Sequence, residues 1–169
     1  MAEEKYQHSI DVLNKALAQE NTASLQYMFF HFICEDKGYR PLAKYFKKTA
    51  IDEMRHAETL AERILFLEGE IKMTLAKPVQ HVTDVQGMLD YSRQLEKDTI
   101  EDYNRFSKET SDNLDAVTHK VFQDLIVQEE EHMDQFRLEK DNMQEYGDRY
   151  LALQVVENLT EVDHPHGHE

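Results

Sequence analysis

Glu53-Met54-Arg55-His56 and Glu129-Glu130-Glu131-His132 are two copies of one four-residue unit, each set in a stretch of helical periodicity. Residues three apart share a helix face, so each unit points one carboxylate and one imidazole the same way. That pair suits a borderline divalent metal such as Fe(II), Mn(II) or Zn(II). The repeat is wider than the two units. One offset of 76 residues carries 53 to 129, Glu20 to Glu96, and Tyr27 to Tyr103. Each tyrosine follows its glutamate by seven residues, about two helical turns, and so shares its face. The chain therefore reads as two halves, each a helix pair carrying Glu, Tyr and Glu-x-x-His. Facing each other, the halves would bring four carboxylates and two imidazoles together.

The helices around these units follow from the spacing of apolar residues. Over residues 5–35, Ile10, Leu13, Leu17, Glu20, Ser24, Tyr27, His31 and Cys34 alternate steps of three and four, the seam of a bundle helix. A second apolar set, Leu25, Met28, Phe29 and Phe32, widens that face toward another subunit. Gly38 and Pro41 punctuate a turn into a second helix over 41–68, with Leu42, Phe46, Thr49, Glu53, His56, Leu60, Ile64 and Leu67 inward and Gly69 as its stop. Residues 70–81 lack a helical period and contain Lys77-Pro78. Twelve extended residues span up to about 40 Å, enough to run the length of a bundle. A third helix over 84–110 carries Val85, Leu89, Ser92, Glu96, Thr99, Tyr103 and Phe106 inward, and residues 110–113 form a turn. A fourth over 115–144 carries Val121, Leu125, Glu129, His132 and Phe136 inward and breaks at Gly147. Residues 150–159 read as a short fifth helix. The expected fold is all-α: a four-helix bundle of ferritin-like arrangement with one long crossover and a short C-terminal helix. The domain spans 1–159, and 160–169, with His164, His166 and His168, is expected to be a disordered tail.

Composition narrows the function classes. The chain has 169 residues and a formal net charge of −15, which argues against nucleic acid as a partner and is compatible with attracting cations. No run of 18 apolar residues predicts a membrane span. The start, MAEEKYQHSID, is acidic and has no apolar signal core. With Cys34 as the single cysteine, these features predict a reducing, cytoplasmic setting.

Taken singly, each signal has a bland reading, since Glu-x-x-His occurs on exposed helices and acidic runs are usually solvated. The conjunction decides. Four unpaired carboxylates in one core would cost several kcal/mol each. The seams hold no matching lysines or arginines, whereas two divalent cations would supply four positive charges. One Glu from each of two helices and Glu-x-x-His from each of the others is the ligand pattern of ferritin-like di-iron and di-manganese carboxylate bundles.

The chain also resembles the bacterioferritins over about residues 8–158. The resemblance is carried by LNKALAQE with Gln26-Tyr27, by AIDEMRHAETLAERILFLEG, by Leu95-Glu96-Lys97-Asp98, by EEEHMD and by the short helix around Tyr150-Leu151. It implies that Glu20 and His56 cap one iron, Glu96 and His132 the other, with Glu53 and Glu129 bridging. Tyr27 would hydrogen-bond a site carboxylate and donate an electron. The implied activity is that of a ferroxidase: Fe(II) is oxidised with dioxygen or peroxide and stored as a mineral in a hollow 24-subunit cage built from two-fold dimers. A ferredoxin-type protein is the implied reductant. Met54 lies about 100° around the helix from Glu53 and so leaves the metal face. Methionine usually fills gaps in cores and interfaces. In the resembling family the methionine at this place is an axial haem ligand, one haem being shared by two subunits across a two-fold axis. Asn21 and Ser24 depart from the apolar residues expected beside that haem, a departure that would weaken its binding.

Other residues read more plainly. Asp52, Glu130, Glu131 and Asp134 either line a cavity or form a solvated face. Lys48 stands where some members of the family put an iron-binding histidine. His31 and Cys34 read as bundle residues. A haem-free ferritin and a rubrerythrin-like di-metal peroxidase are the rival readings, and one cysteine cannot supply the metal cluster that rubrerythrins usually add.

Overall fold

The computed structural model describes the backbone of residues 3–160 and the side chains of residues 3–156. After one 3-10 turn, Glu4–Tyr6, the chain forms α1 (Gln7–Asp36), α2 (Arg40–Phe66), α3 (Val85–Asp112), α4 (Ala116–Tyr146) and α5 (Asp148–Thr160). The architecture is all-α, a ferritin-like bundle of four long helices with a short fifth. The seam residues of α1 to α4 lie inward, with Ser24, His31 and Val121 only half-buried. None of the described helices is long and apolar enough to cross a membrane.

The turns explain the boundaries. Gly38 takes a φ of 75° after α1, and Tyr39 N–H bonds back to the Cys34 carbonyl at 2.8 Å. The helix then restarts with Pro41 in its first turn, where the missing N–H costs nothing. At the end of α2 the left-handed residue is Glu68 (φ 59°), not Gly69. Gly69 is required for a different reason. A Cβ there would lie 2.8 Å from Ile10 Cγ2 of α1, so the side chain is absent because two elements meet. The third turn is shorter than its composition suggests. Thr110 Oγ1 bonds back to the Phe106 carbonyl at 2.9 Å, and the helix continues to Asp112. Leu114 then takes φ 61°, and the Asp115 carboxylate caps α4 by accepting from Thr118 N–H at 3.1 Å.

α1 packs mainly on α2, and α3 on α4. The two pairs are joined by residues 67–84, which run as a strap along α1. Asn14 Nδ2 donates to the Glu70 carbonyl at 3.0 Å and Asn14 Oδ1 accepts from Lys72 N–H at 2.8 Å. Thr22 Oγ1 accepts from Ala76 N–H at 2.9 Å. The Gln26 amide makes both bonds with the Gln80 backbone, at 2.7 and 2.9 Å. Lys37 Nζ donates to the Thr83 carbonyl. Contacts therefore advance from 14 on α1 to 37 just past its end as the strap advances from 70 to 83. The strap returns the chain to the end of the bundle where α2 began, so α3 runs parallel to α2. This is the long crossover of the ferritin-like arrangement. Arg63 of α2 reaches Asp115 Oδ1 (2.8 Å) and Thr118 Oγ1 (2.9 Å), fixing α2 against the start of α4.

The apolar core is divided. One cluster contains Phe30, Leu42, Phe46, Met88, Leu89 and Phe136, and the other Leu13, Leu17, Leu60, Ile64, Phe106, Phe122 and Leu125. Between them lies a polar layer at mid-bundle.

Candidate metal centre

All four long helices deliver side chains to that layer: Glu20 from α1, Glu53 and His56 from α2, Glu96 from α3, Glu129 and His132 from α4. All six are buried, and His132, at 7% exposure, is the most accessible. They form two overlapping ligand sets. Glu20, Glu53, His56 and Glu129 bring ligand atoms within 4.8 Å of one another, and so do Glu53, Glu96, Glu129 and His132. Glu53 and Glu129 belong to both sets and sit between them. The imidazoles face each other with ring centroids 5.8 Å apart.

Both imidazoles turn Nδ1 toward the carboxylates. His56 Nδ1 lies 2.8 Å from Glu129 Oε1, 3.0 Å from Glu53 Oε2 and 3.6 Å from Glu20 Oε2. His132 Nδ1 lies 3.0 Å from Glu53 Oε1 and 3.3 Å from Glu129 Oε2. Glu53 Oε1 makes no hydrogen bond despite that approach, an orphaned acceptor in a buried site. The outer edges of the layer are closed by tyrosines. Tyr27 OH donates to Glu96 Oε1 and Tyr103 OH to Glu20 Oε1. Tyr27 is wedged against Phe46 and Phe136, Tyr103 against Phe106 and Phe122.

The electrostatics follow from burial and crowding. Burial, then the charges of Glu96 and Glu20, push the Glu53 carboxyl up to about 8. Glu96 and Glu129 are also raised, by burial and by neighbouring carboxylates. Burial would raise Glu20 too, but the His56 imidazole outweighs it and the carboxyl is lowered. Burial opposes charge on the histidines as well. The facing carboxylates of Glu129 and Glu53 overcome it and raise His132 to about 11, and His56 rises further still. Without metal, the layer is neutralised by protons. The donor set of four carboxylates and two imidazoles, its shared pair and the orphaned oxygen fit two divalent cations.

Two residues support the imidazoles from outside. Gln128 Oε1 lies 3.1 Å from His56 Nε2, and Asp52 Oδ2 lies 3.6 Å from His132 Nε2. The sequence reading passed over Gln128, which carries no charge and sits beside an acidic run. Lys48 Nζ pairs with the same Asp52 oxygen at 2.8 Å. Tyr45, Lys48, Asp52, Gln128, Glu131, His132 and Gln135 line a cleft of about 600 Å³. Glu130 is exposed, and Asp134 is held by Arg137 at 2.7 Å, a solvated pair.

Met54 points away from this layer, as its position predicts, and is 59% exposed. It lines a second groove, of about 320 Å³, with Asn21, Ser24, Leu25, Met73, Thr74 and Leu75. Two polar groups there are bonded within the subunit. Ser24 Oγ donates to the Ala50 carbonyl at 2.9 Å and Asn21 Nδ2 to the Thr74 carbonyl at 3.3 Å. His31 Nδ1 hydrogen-bonds the Ala43 carbonyl at 2.9 Å. Cys34 is buried beside Met88, and burial pushes its thiol up to about 12. Both are bundle residues. The histidines at 164, 166 and 168 lie outside the described residues.

A family model described as Ferritin-like domain matches residues 10–145. The chain is 39% identical over 145 residues to a bacterioferritin of Desulfovibrio desulfuricans, covering 85% of this chain and 80% of that one. It is 31% identical over 148 residues to a bacterioferritin of Streptomyces coelicolor, covering 88% and 89%. A solved structure of the Desulfovibrio desulfuricans bacterioferritin, described with its diiron site in different catalytic states, superposes with a TM-score of 0.87 at 35% identity over 91% of each chain.

The proton-filled layer sets a pH dependence. A folded state that holds Glu53 protonated from its ordinary 4.5 up to about 8, and His132 from 6.5 up to about 11, binds more protons than the unfolded chain across those windows. Its contribution to stability is therefore lost as pH rises through them. Divalent metal replaces those protons, so its binding tightens with pH. The melting temperature gained on adding Zn(II) to metal-free protein should be larger at about pH 8.5 than at about pH 6, the comparison cancelling the general charge of the chain. A gain that is equal or smaller at the higher pH would contradict the proton-filled description.

Proposed function

The chain belongs to the bacterioferritin family of ferritin-like proteins, and from that premise we propose that it stores iron and oxidises Fe(II) to Fe(III) at the mid-bundle layer, as a ferroxidase using dioxygen or peroxide. The observation that carries the reading is the pair of overlapping ligand sets sharing Glu53 and Glu129. In this reading Glu20 and His56 cap one metal position, Glu96 and His132 cap the other, and Glu53 and Glu129 bridge. Two irons held side by side can each lose one electron to a single oxidant, which limits release of one-electron radicals.

The residues supply the rest. Metal held there would take the place of the protons at Nδ1 of His56 and His132, and the shared carboxylates Glu53 and Glu129 would then be free to serve as ligands. Tyr27 and Tyr103 fix the outer carboxylates by donating to them, leaving the opposite oxygens for metal. Burial and the glutamate charges keep both phenols protonated, their pKa values well above the ordinary range. Tyr27 is the phenol nearest Glu96 and is the candidate for a further electron. The apolar clusters on both sides keep bulk water from the layer, and the cleft beside His132 offers Fe(II) a way in.

The same reading includes haem at Met54, shared across a two-fold axis. It is supported by the exposed thioether in a groove that also holds Leu25, Met73 and Leu75, and by the internal bonds of the Ser24 hydroxyl and the Asn21 amide nitrogen. Against the expected weakening by this pair, the Ser24 hydroxyl and the Asn21 amide nitrogen are bonded within the subunit. Two thioethers would fill both axial positions, suiting the group to electron transfer rather than oxygen binding. Assembly into a 24-subunit cage, a ferredoxin-type reductant and a cytoplasmic setting complete the proposal. Exposed Leu25, Phe32, Leu65 and Phe66 support subunit contacts.

Stopped-flow oxidation of Fe(II) tests the centre. Glu53→Ala and Glu129→Ala each remove a carboxylate common to both sets, and each should abolish the fast phase. A wild-type fast phase in both variants would overturn the assignment.

Haem titration tests Met54 separately. Met54→Leu should lose haem uptake, read from the absorption spectrum, and keep fast Fe(II) oxidation. Equal uptake with unchanged axial-ligand bands would refute the role. No uptake by the wild-type protein would favour a haem-free ferritin.

A further inference from the structure

The 76-residue offset that relates the two halves also carries position 52 to position 128. These are the two residues that stand behind the imidazoles, and each serves the histidine of the other half. Gln128 of α4 lies 3.1 Å from Nε2 of His56 on α2. Asp52 of α2 lies 3.6 Å from Nε2 of His132 on α4. The positions correspond but the chemistry does not. One imidazole is backed by a neutral amide oxygen, the other by a carboxylate. Asp52 is itself held, with Lys48 Nζ 2.8 Å from Oδ2 and Arg55 3.4 Å from Oδ1. Asp52, Gln128 and His132 all line the cleft of about 600 Å³.

We propose that Asp52 is a positioning residue that makes the metal position on the His132 side the tighter of the two, so that the centre fills in order, His132 side first and His56 side second. The inference rests on the di-metal reading above. With Nδ1 committed to the metal, Nε2–H is the remaining donor of each ring. A carboxylate facing that N–H fixes the ring's orientation and makes the coordinating nitrogen a stronger donor. A glutamine oxygen orients the ring but carries no full charge, so it strengthens the donor less. The rest of the two ligand sets is matched: each has one terminal glutamate held by a tyrosine, and both share Glu53 and Glu129. The groups behind the imidazoles are where the two positions differ in residue type. Lys48 keeps the Asp52 carboxylate charged and in place at the cleft. Ordered filling brings the first metal to the side that opens on the cleft.

The test is a titration of metal-free protein with Co(II), followed by its visible ligand-field absorption, which reads binding without turnover. Wild type should bind two Co(II) in two resolved steps. Asp52→Asn should weaken the tighter step by about 10–100-fold and leave the weaker one in place, so that the steps merge. Asp52→Glu, which keeps the charge, should retain part of the separation. Gln128→Glu should tighten the weaker step alone, and it decides the matter even if the Asp52 variants fold poorly. Two equal steps in wild type, both steps shifting together in Asp52→Asn, or no tightening in Gln128→Glu would overturn the ordering while leaving the di-metal reading intact. No Co(II) uptake at the layer would overturn both.

Discussion

Four carboxylates at one level of a dry helical bundle cannot all be charged without compensation. An ionised carboxylate taken from water costs several kcal/mol even after relaxation. Glu20, Glu53, Glu96 and Glu129 are each 1% exposed or less, and the ion pairs that Glu20, Glu53 and Glu129 form in the layer are with imidazoles rather than lysine or arginine. The compensation must therefore be protons or metal. Protons supply it incompletely: they leave an orphaned oxygen on Glu53 and carboxyls and imidazoles raised far from their ordinary range. In the proposed reading, cation binding would relieve that cost.

The scaffold can bear this cost because the apolar core is split around it. Each half is closed by aromatic rings packed against the tyrosine that caps the layer, Phe46 and Phe136 on Tyr27, Phe106 and Phe122 on Tyr103. The strap is part of the same solution. Only a crossover that spans the bundle makes α2 and α3 parallel, and that direction lets one half repeat the other with its Glu, Tyr and Glu-x-x-His at matching depth. Asn14, Thr22 and Gln26 hold the strap by pairing with its backbone. They form a polar stripe on a helix whose opposite face is core.

Much of this was legible because bundle seams and metal ligands both obey helical spacing. Glu20, Glu53, Glu96 and Glu129 stand in positions that leucine would otherwise occupy, and their shared offset links the halves without any contact being known. What was not legible depends on side-chain direction or on element meeting element. Gly69 read as a helix stop, yet Glu68 takes the left-handed turn and Gly69 makes room for Ile10. The role of Asn14, Thr22 and Gln26 has no mark in the sequence, because a strap without periodicity gives no sign of the helix it follows. Gln128 was hidden beside three glutamates, although the offset from Asp52 points to it. Ser24 and Asn21 read as departures from an apolar pocket, and only the structure shows the carbonyls to which the Ser24 hydroxyl and the Asn21 amide nitrogen donate.

The central claim is that the six side chains of the mid-bundle layer are two metal positions with a shared pair of carboxylates. Anomalous diffraction from crystals soaked anaerobically in Fe(II), recorded at the iron edge, tests it most directly. The account predicts two peaks per subunit within the layer, one in contact with Glu20 and His56, the other with Glu96 and His132, and Glu53 and Glu129 reaching both. A layer without iron, a single peak, or peaks held by residues outside these six would contradict it.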